Sequence, residues 1–259
     1  MTLRDEVGTI TSHMRDDSRD TVIPGGPSAP LGARTDDIAA EAMRRTTPGP
    51  LVVTLVLALV AYAAIAADVV HDGAASELDA DVAAWAARSM PSWAEWLARP
   101  FTWVGGVLGV TIVVAMVCYS LLRRGYADEV VLLVVVTLGI QVLVQAAKAG
   151  YERRRPTDGS AIDLPSTFSF PSGHAATGMA VFGLLGLLAA THAETRRARV
   201  AAIAIGFAVG AAIGASRVVL NVHYVTDVLA GACFGIAWLA ACVLVARWLR
   251  ERRARQPST

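Results

Sequence analysis

Apolar runs of roughly equal length, separated by short polar islands, fill the chain after its first fifth. Leu51 to Val70, Phe101 to Leu122, Glu129 to Ala147, His174 to Thr191, Val200 to Leu220 and Tyr224 to Leu249 form six such runs. About 20 helical residues cross a hydrocarbon layer of ~30 Å. The pattern predicts an all-α integral membrane bundle of six transmembrane helices. Between the first two runs, His71 to Arg99 mixes polar and apolar residues and carries Trp85, Trp93 and Trp96. It predicts an amphipathic helix lying at the interface with its indoles at headgroup depth, a substrate lid being the alternative. Residues 1–48 are polar, without a sustained period, and read as a disordered cytoplasmic tail. Residues 49–249 form the six-span domain and 250–259 a basic cytoplasmic tail. Ala64-Ile65-Ala66 resembles a signal cleavage site, but this run is too long and too far from Met1 for a signal peptide.

Composition agrees with a membrane class. Hydrophobic residues make up 54% of the 259 and charged residues only 17%, too few for the surface of a soluble protein this size. The net charge of +1 provides no overall field for nucleic acid. Cys118, Cys233 and Cys242 lie inside apolar runs, where cysteine acts as a small hydrophobe, and their spacing suggests neither disulfides nor a metal site.

The cations are clustered. Arg44 and Arg45 precede the first run, Arg123 and Arg124 join the second to the third, Arg196, Arg197 and Arg199 join the fourth to the fifth, and Arg250, Arg252, Arg253 and Arg255 follow the sixth. With six crossings all four clusters fall on one side. The positive-inside rule makes that side cytoplasmic, so both termini are expected there, in a bacterial cell membrane. One basic cluster breaks the rule: Lys148, Arg153, Arg154 and Arg155, opposed only by Glu152, fall in an outward loop. Anion binding explains a basic cluster on that side. Gln141, Gln145 and Lys148 recur at helical spacing and predict a polar stripe facing the bundle. Gly206, Gly210 and Gly214, with Gly231 and Gly235, recur every four residues and predict closely approaching helices.

Two further outward islands carry chemistry. In Ser216-Arg217-x5-His223-x3-Asp227, helical spacing would place His223 and Asp227 on one face, where the carboxylate fixes the tautomer and frees the other ring nitrogen to attack. Arg217 is suited to an oxyanion or phosphate. A helix boundary with incidental polar residues is the bland alternative. In Pro171-Ser172-Gly173-His174, Ser172 is placed to cap the fourth span, Gly173 admits close backbone approach, and free N–H groups at a helix start form an anion site beside His174. His13 and His192 fall in a tail and a cytoplasmic loop, and His71 lies outside all three islands.

These patterns, with Lys148-x6-Arg155-Pro156, resemble the three signature motifs of the type 2 phosphatidic acid phosphatase superfamily, in its membrane lipid phosphatase branch. The likeness runs from about Leu51 to Leu249, and the chain's single lysine falls at the required position. It implies His223 as nucleophile through a phosphohistidine, Asp227 as its orienting group, and His174 as proton donor and later base. It implies Lys148, Arg155, Ser172, Gly173 and Arg217 as the phosphate cradle, with no cofactor and no metal. Arg153 is open between a contact to a second phosphate or headgroup and none, and Arg154 reads as surface. The function implied is hydrolysis of a lipid phosphate or diphosphate on the extracytoplasmic face. The motifs do not discriminate among polyprenyl diphosphate, phosphatidic acid and phosphatidylglycerol phosphate as the lipid substrate. Phosphotransfer to a lipid or sugar hydroxyl is the second reading, and a non-catalytic binding or transport protein the third. The related vanadium haloperoxidases are soluble, which six spans oppose.

Overall fold

A computed structural model describes residues 48–156, 160–163 and 167–255. The expected N-terminal tail lies outside these residues, apart from Pro48. The described residues contain helices and no strands. In chain order they are α1 (Gly49–Val70), α2 (Ala74–Ser89), α3 (Ser92–Val104), α4 (Val107–Arg123), α5 (Ala127–Tyr151), α6 (Gly173–Thr191), α7 (Arg196–Val219) and α8 (Val225–Arg255). Five of them, α1, α5, α6, α7 and α8, are each long and apolar enough to cross a membrane.

The second expected span is not one rod. α3 and α4 meet at a 54° bend and supply the sixth crossing as a pair. The break falls at Gly105-Gly106, where Gly106 is extended (ψ 166°) and the helix restarts. α4 alone has 17 residues, roughly 26 Å at ~1.5 Å per residue, short of the ~30 Å layer. The amphipathic stretch accordingly forms two helices. Trp85 on α2 and Trp93, Trp96 and Trp103 on α3 are all exposed, as expected of indoles at an interface.

α6 is the central helix: 56% of its apolar window is buried, against 11% for α1, whose Val53, Leu57 and Val60 face outward. α6 contains one π-helical turn over Gly178–Phe182. Its inward residues Ala176, Ala180 and Leu184 pack with Leu133, Val136 and Ile140 of α5. The inward face of α5 thus runs Val136, Ile140, Val144, Lys148, and Gln145, one residue off that face, is exposed. Of the expected polar stripe, Lys148 is buried and Gln141 half-buried, and Gln145 falls outside it, ~100° around the helix from Val144.

The glycine spacings do bring backbones together. A Cβ on Gly210 would sit 2.8 Å from the Gly178 carbonyl oxygen, and one on Gly235 would sit 2.2 Å from that of Ala176. α6 is held between α7 and α8 at distances only glycine permits.

The loops sort to two ends. At one, Arg250 reaches Glu129 at 3.1 Å, and the Tyr126 ring lies 5.3 Å from that of His192. The α4–α5 turn, the α6–α7 turn and the end of α8 therefore meet, bringing the described arginine clusters together. α8 continues as helix through Arg250 and Arg253 to Arg255, so most of the expected basic tail is helical. The α5–α6 and α7–α8 loops meet at the other end.

Candidate active site

His223 precedes α8, whereas Asp227 lies in its first turn. The contact expected from helical spacing arises instead from capping. Asp227 Oδ2 accepts the backbone N–H of Tyr224 at 3.0 Å, as a third-position carboxylate does at a helix start. The same oxygen lies 3.2 Å from His223 Nδ1. Upstream, α7 closes through Asn221 in the left-handed region (φ 51°), with Val222 N–H donating to the Arg217 carbonyl at 3.1 Å. This turn sets Arg217 and His223 side by side at the head of two packed helices.

A carboxylate oxygen only accepts, so Nδ1 carries the proton and Nε2 the lone pair. Nε2 faces Arg155, whose guanidinium donates to it at 3.0 Å. The His223 side chain is 2% exposed. Burial, opposed by Asp227 and aided by Arg155 and Arg217, holds the imidazole at about 4, well below its ordinary value, so it is neutral at physiological pH. Burial also lowers Arg155 from its usual value.

The three islands are joined by direct contacts. Lys148 Nζ and Arg155 both donate to the Phe168 carbonyl, Arg155 at 3.2 Å. Ser172 N–H donates to the Asp227 carbonyl at 2.9 Å, and a Cβ on Gly231 would meet the Ser172 carbonyl at 2.4 Å. Ser172 stands at the N-cap of α6 as expected, but its hydroxyl makes no capping bond, leaving the helix start open. Among the described residues, the buried side-chain atoms without a hydrogen-bond partner are Ser172 Oγ, Thr177 Oγ1 and Arg217 Nε. Two of the three belong to the expected phosphate cradle. Buried donors left unmatched are costly, and an anion would satisfy them.

Two residues outside the motifs enter this region. Thr102 of α3 accepts from His174 Nε2 at 3.2 Å on its carbonyl and from Arg217 on its hydroxyl. Because a carbonyl only accepts, that histidine nitrogen carries a proton. Asp79 of α2 is 2% exposed and accepts from Arg153 at 2.9 Å and from the Thr226 backbone N–H at 3.1 Å. Arg153, left open between substrate contact and none, is committed internally. It donates at 2.7 Å to Asp227 Oδ1 and to the Thr226 hydroxyl, and its guanidinium stacks 4.3 Å from the Tyr224 ring centre. Arg154 is exposed. Asp79 left a faint trace in the sequence: it is the one charge on a face otherwise made of Ala75, Val82, Ala83 and Ala86.

Residues 129–251 match the model of the PAP2 superfamily. The matched region holds all three motifs, from Lys148 to Asp227. Over 98 residues it is 34% identical to phosphatidylglycerophosphatase B of Bacillus subtilis strain 168, a match covering 37% of this chain and 47% of that protein. The matched stretch thus spans about half of the relative's length. The fold superposes with a TM-score of 0.68 on the crystal structure of a transmembrane PAP2-type phosphatidylglycerolphosphate phosphatase from Bacillus subtilis. That superposition covers 78% of this chain and 98% of the other, at 23% identity. The all-α, multi-pass architecture is therefore that of a transmembrane PAP2 protein.

Proposed function

We propose that this protein is an integral-membrane phosphatase that removes the terminal phosphate of a lipid phosphate on the extracytoplasmic face, with phosphatidylglycerol phosphate the first substrate to test. The observation that carries this reading is the state of His223: neutral, Nδ1–H on Asp227, and the Nε2 lone pair turned toward a guanidinium. A binding protein has no use for a carboxylate-backed nucleophile.

The chemistry follows from that state. Nε2 attacks phosphorus as the bond to the lipid oxygen breaks, and His174 gives its proton to that oxygen. The Nδ1 proton stays on the ring, and Asp227 stabilises the cationic phosphohistidine. Water then attacks phosphorus, His174 takes its proton, and the P–N bond breaks to release phosphate and neutral His223. Lys148, Arg155, Arg217, the Ser172 hydroxyl and the Gly173 amide hold the equatorial oxygens while charge builds on them. Cations of the chain supply this stabilisation, and no metal enters the scheme. The arginine clusters at the opposite end support the extracytoplasmic placement.

The test is phosphate release by purified protein in detergent with a chelator present. Phosphatidylglycerol phosphate, phosphatidic acid and a polyprenyl diphosphate are compared, beside His223→Ala. Release lost in the variant and unaffected by the chelator is the expected result. Release that requires a metal overturns the metal-free scheme, and no release by folded protein from any lipid overturns the hydrolytic reading.

A further inference from the structure

The mechanism above uses His223 and Asp227 but leaves a second buried carboxylate, Asp79, without a role. Asp79 lies on α2, 148 residues before Asp227 in the chain, and 2% of it is exposed. A carboxylate in that position costs several kcal/mol unless it is paired and hydrogen-bonded. Its partners are all on the catalytic loop or beside it. Oδ1 accepts the Thr226 backbone N–H at 3.1 Å, and Oδ2 accepts from the Thr226 hydroxyl and from Arg153 at 2.9 Å. Arg153 in turn donates at 2.7 Å to Asp227 Oδ1, the oxygen that His223 does not use. The result is a continuous line, Asp79, Arg153, Asp227, alternating in charge and ending on the neutral ring of His223.

We infer that Asp79 and Arg153 are positioning residues for the nucleophile: together they fix the rotamer of Asp227 and set how strongly it supports the His223 ring. The reasoning is geometric. Asp227 has two oxygens, and His223 and Tyr224 N–H occupy one of them. Arg153 on the other prevents the carboxylate from rotating. Arg153 is itself held in a fork, one nitrogen on Asp227 and the other on Asp79, with its face against Tyr224. Without Asp79, the guanidinium would keep one carboxylate and regain freedom about its long side chain. Asp79 also cancels the charge of Arg153. Asp227 can then act on the ring as an uncompensated anion when His223 becomes cationic. Through α2, the interfacial segment becomes a wall of the catalytic assembly.

This inference rests on the phosphatase reading, and two readouts separate the two. The first is kinetic, on phosphatidylglycerol phosphate in detergent. Asp79→Asn lowers kcat by about 10-fold to 100-fold, the cost of a misplaced catalytic group, with KM within twofold. A KM rise without a kcat change would instead make the pair a substrate contact and overturn the proposal. The second is the pH titration of the His223 ring nitrogens by NMR in 15N-histidine protein, assigned with His223→Gln, which needs no turnover. Asp227, Arg155, Arg217 and His174 also act on that ring and are unchanged in the test variants. Arg153→Gln removes a nearby cation and raises the midpoint by about one pH unit. Asp79→Asn exposes the ring to an uncancelled cation and lowers it. A merely structural role would not give opposite signs. Equal midpoints in wild type and variants overturn the inference, and if Asp79→Asn does not fold, the rise in Arg153→Gln decides alone. Wild-type protein inactive on every lipid phosphate would sink the phosphatase reading while the titration still decided this one.

Discussion

Both ends of the bundle are held by arginine–carboxylate pairs, and the two sets differ chiefly in their exposure to water. At the arginine-rich end, Arg253 and Asp128 are 69% and 52% exposed, and Arg250 and Glu129 are 26% and 19% exposed. At the site end, Arg153 is 15% exposed, Asp79 2% and Asp227 0%. Exposed pairs gain little, because water and salt screen them. Buried pairs have surrendered their hydration, so removing one partner strands the other. The same pair of residue types thus trims the fold at one end and holds Asp227, the carboxylate that meets His223, at the other. Arg153 is also raised from its ordinary value, since Asp227 and Asp79 outweigh the cost of burial.

The contrast can be broken most severely at Asp227. Asp227→Asn keeps an acceptor for Tyr224 N–H but loses the charge behind His223. Phosphate release should fall by about 10^4-fold, as when the acid of a catalytic triad is amidated, in a steady-state assay with fold checked by circular dichroism. A loss below tenfold would mean that the buried pair is scaffold only.

The next effect is one of pH. His223 takes a proton in the fold only near pH 4, whereas in the unfolded chain it does so near ~6.5. Between these values the unfolded state binds more protons, so the folded state loses stability as pH falls through that window. Thermal unfolding in detergent from pH 7 to 4 should show a falling midpoint that flattens in His223→Gln. The rate of phosphate release should fall as pH drops through about 4, where His223 gains a proton and loses its lone pair. A rate that stays flat through that pH would oppose attack by a neutral His223.

The smallest effect is expected at the other end. Arg253→Gln removes an exposed pair to Asp128 and should change stability by under about 0.5 kcal/mol, with activity unchanged. A loss comparable to that of a site-end variant would abolish the contrast.

What the sequence made legible follows the same division. The cradle and the two histidines lie in short motifs, where spacing of a few residues carries the information. Those motifs predict that His223, Asp227, Arg155 and Lys148 meet, and contacts through His223 and the Phe168 carbonyl do join them. Asp79 and Thr102 act across the bundle, Asp79 on Thr226 and Thr102 on Arg217. No local spacing encodes such a contact. Gln145 was placed inward because a polar period of three to four can belong to either side of a face boundary, and the small residues around it did not settle which. The break at Gly105-Gly106 was readable as a glycine pair, but the apolar run continued through it and hydropathy alone reads such a run as one rod. Arg153 illustrates the limit most plainly: its charge suggested an anion, and the anions it found were two carboxylates of its own chain.

Arg155 has a consequence best described as an exchange. At rest its guanidinium is fully occupied by neutral acceptors: the Thr167 carbonyl and hydroxyl, the Phe168 and Val222 carbonyls, and His223 Nε2. A newcomer adds no bond to an empty hand; it must outbid partners already in place. An anion does so, since charge-assisted hydrogen bonds are about twice as strong as neutral ones. A neutral hydroxyl does not, and loses the competition to the protein's own carbonyls. Affinity at this position is thus a difference between two sets of bonds, which favours entry of charge and departure of whatever has been stripped of it.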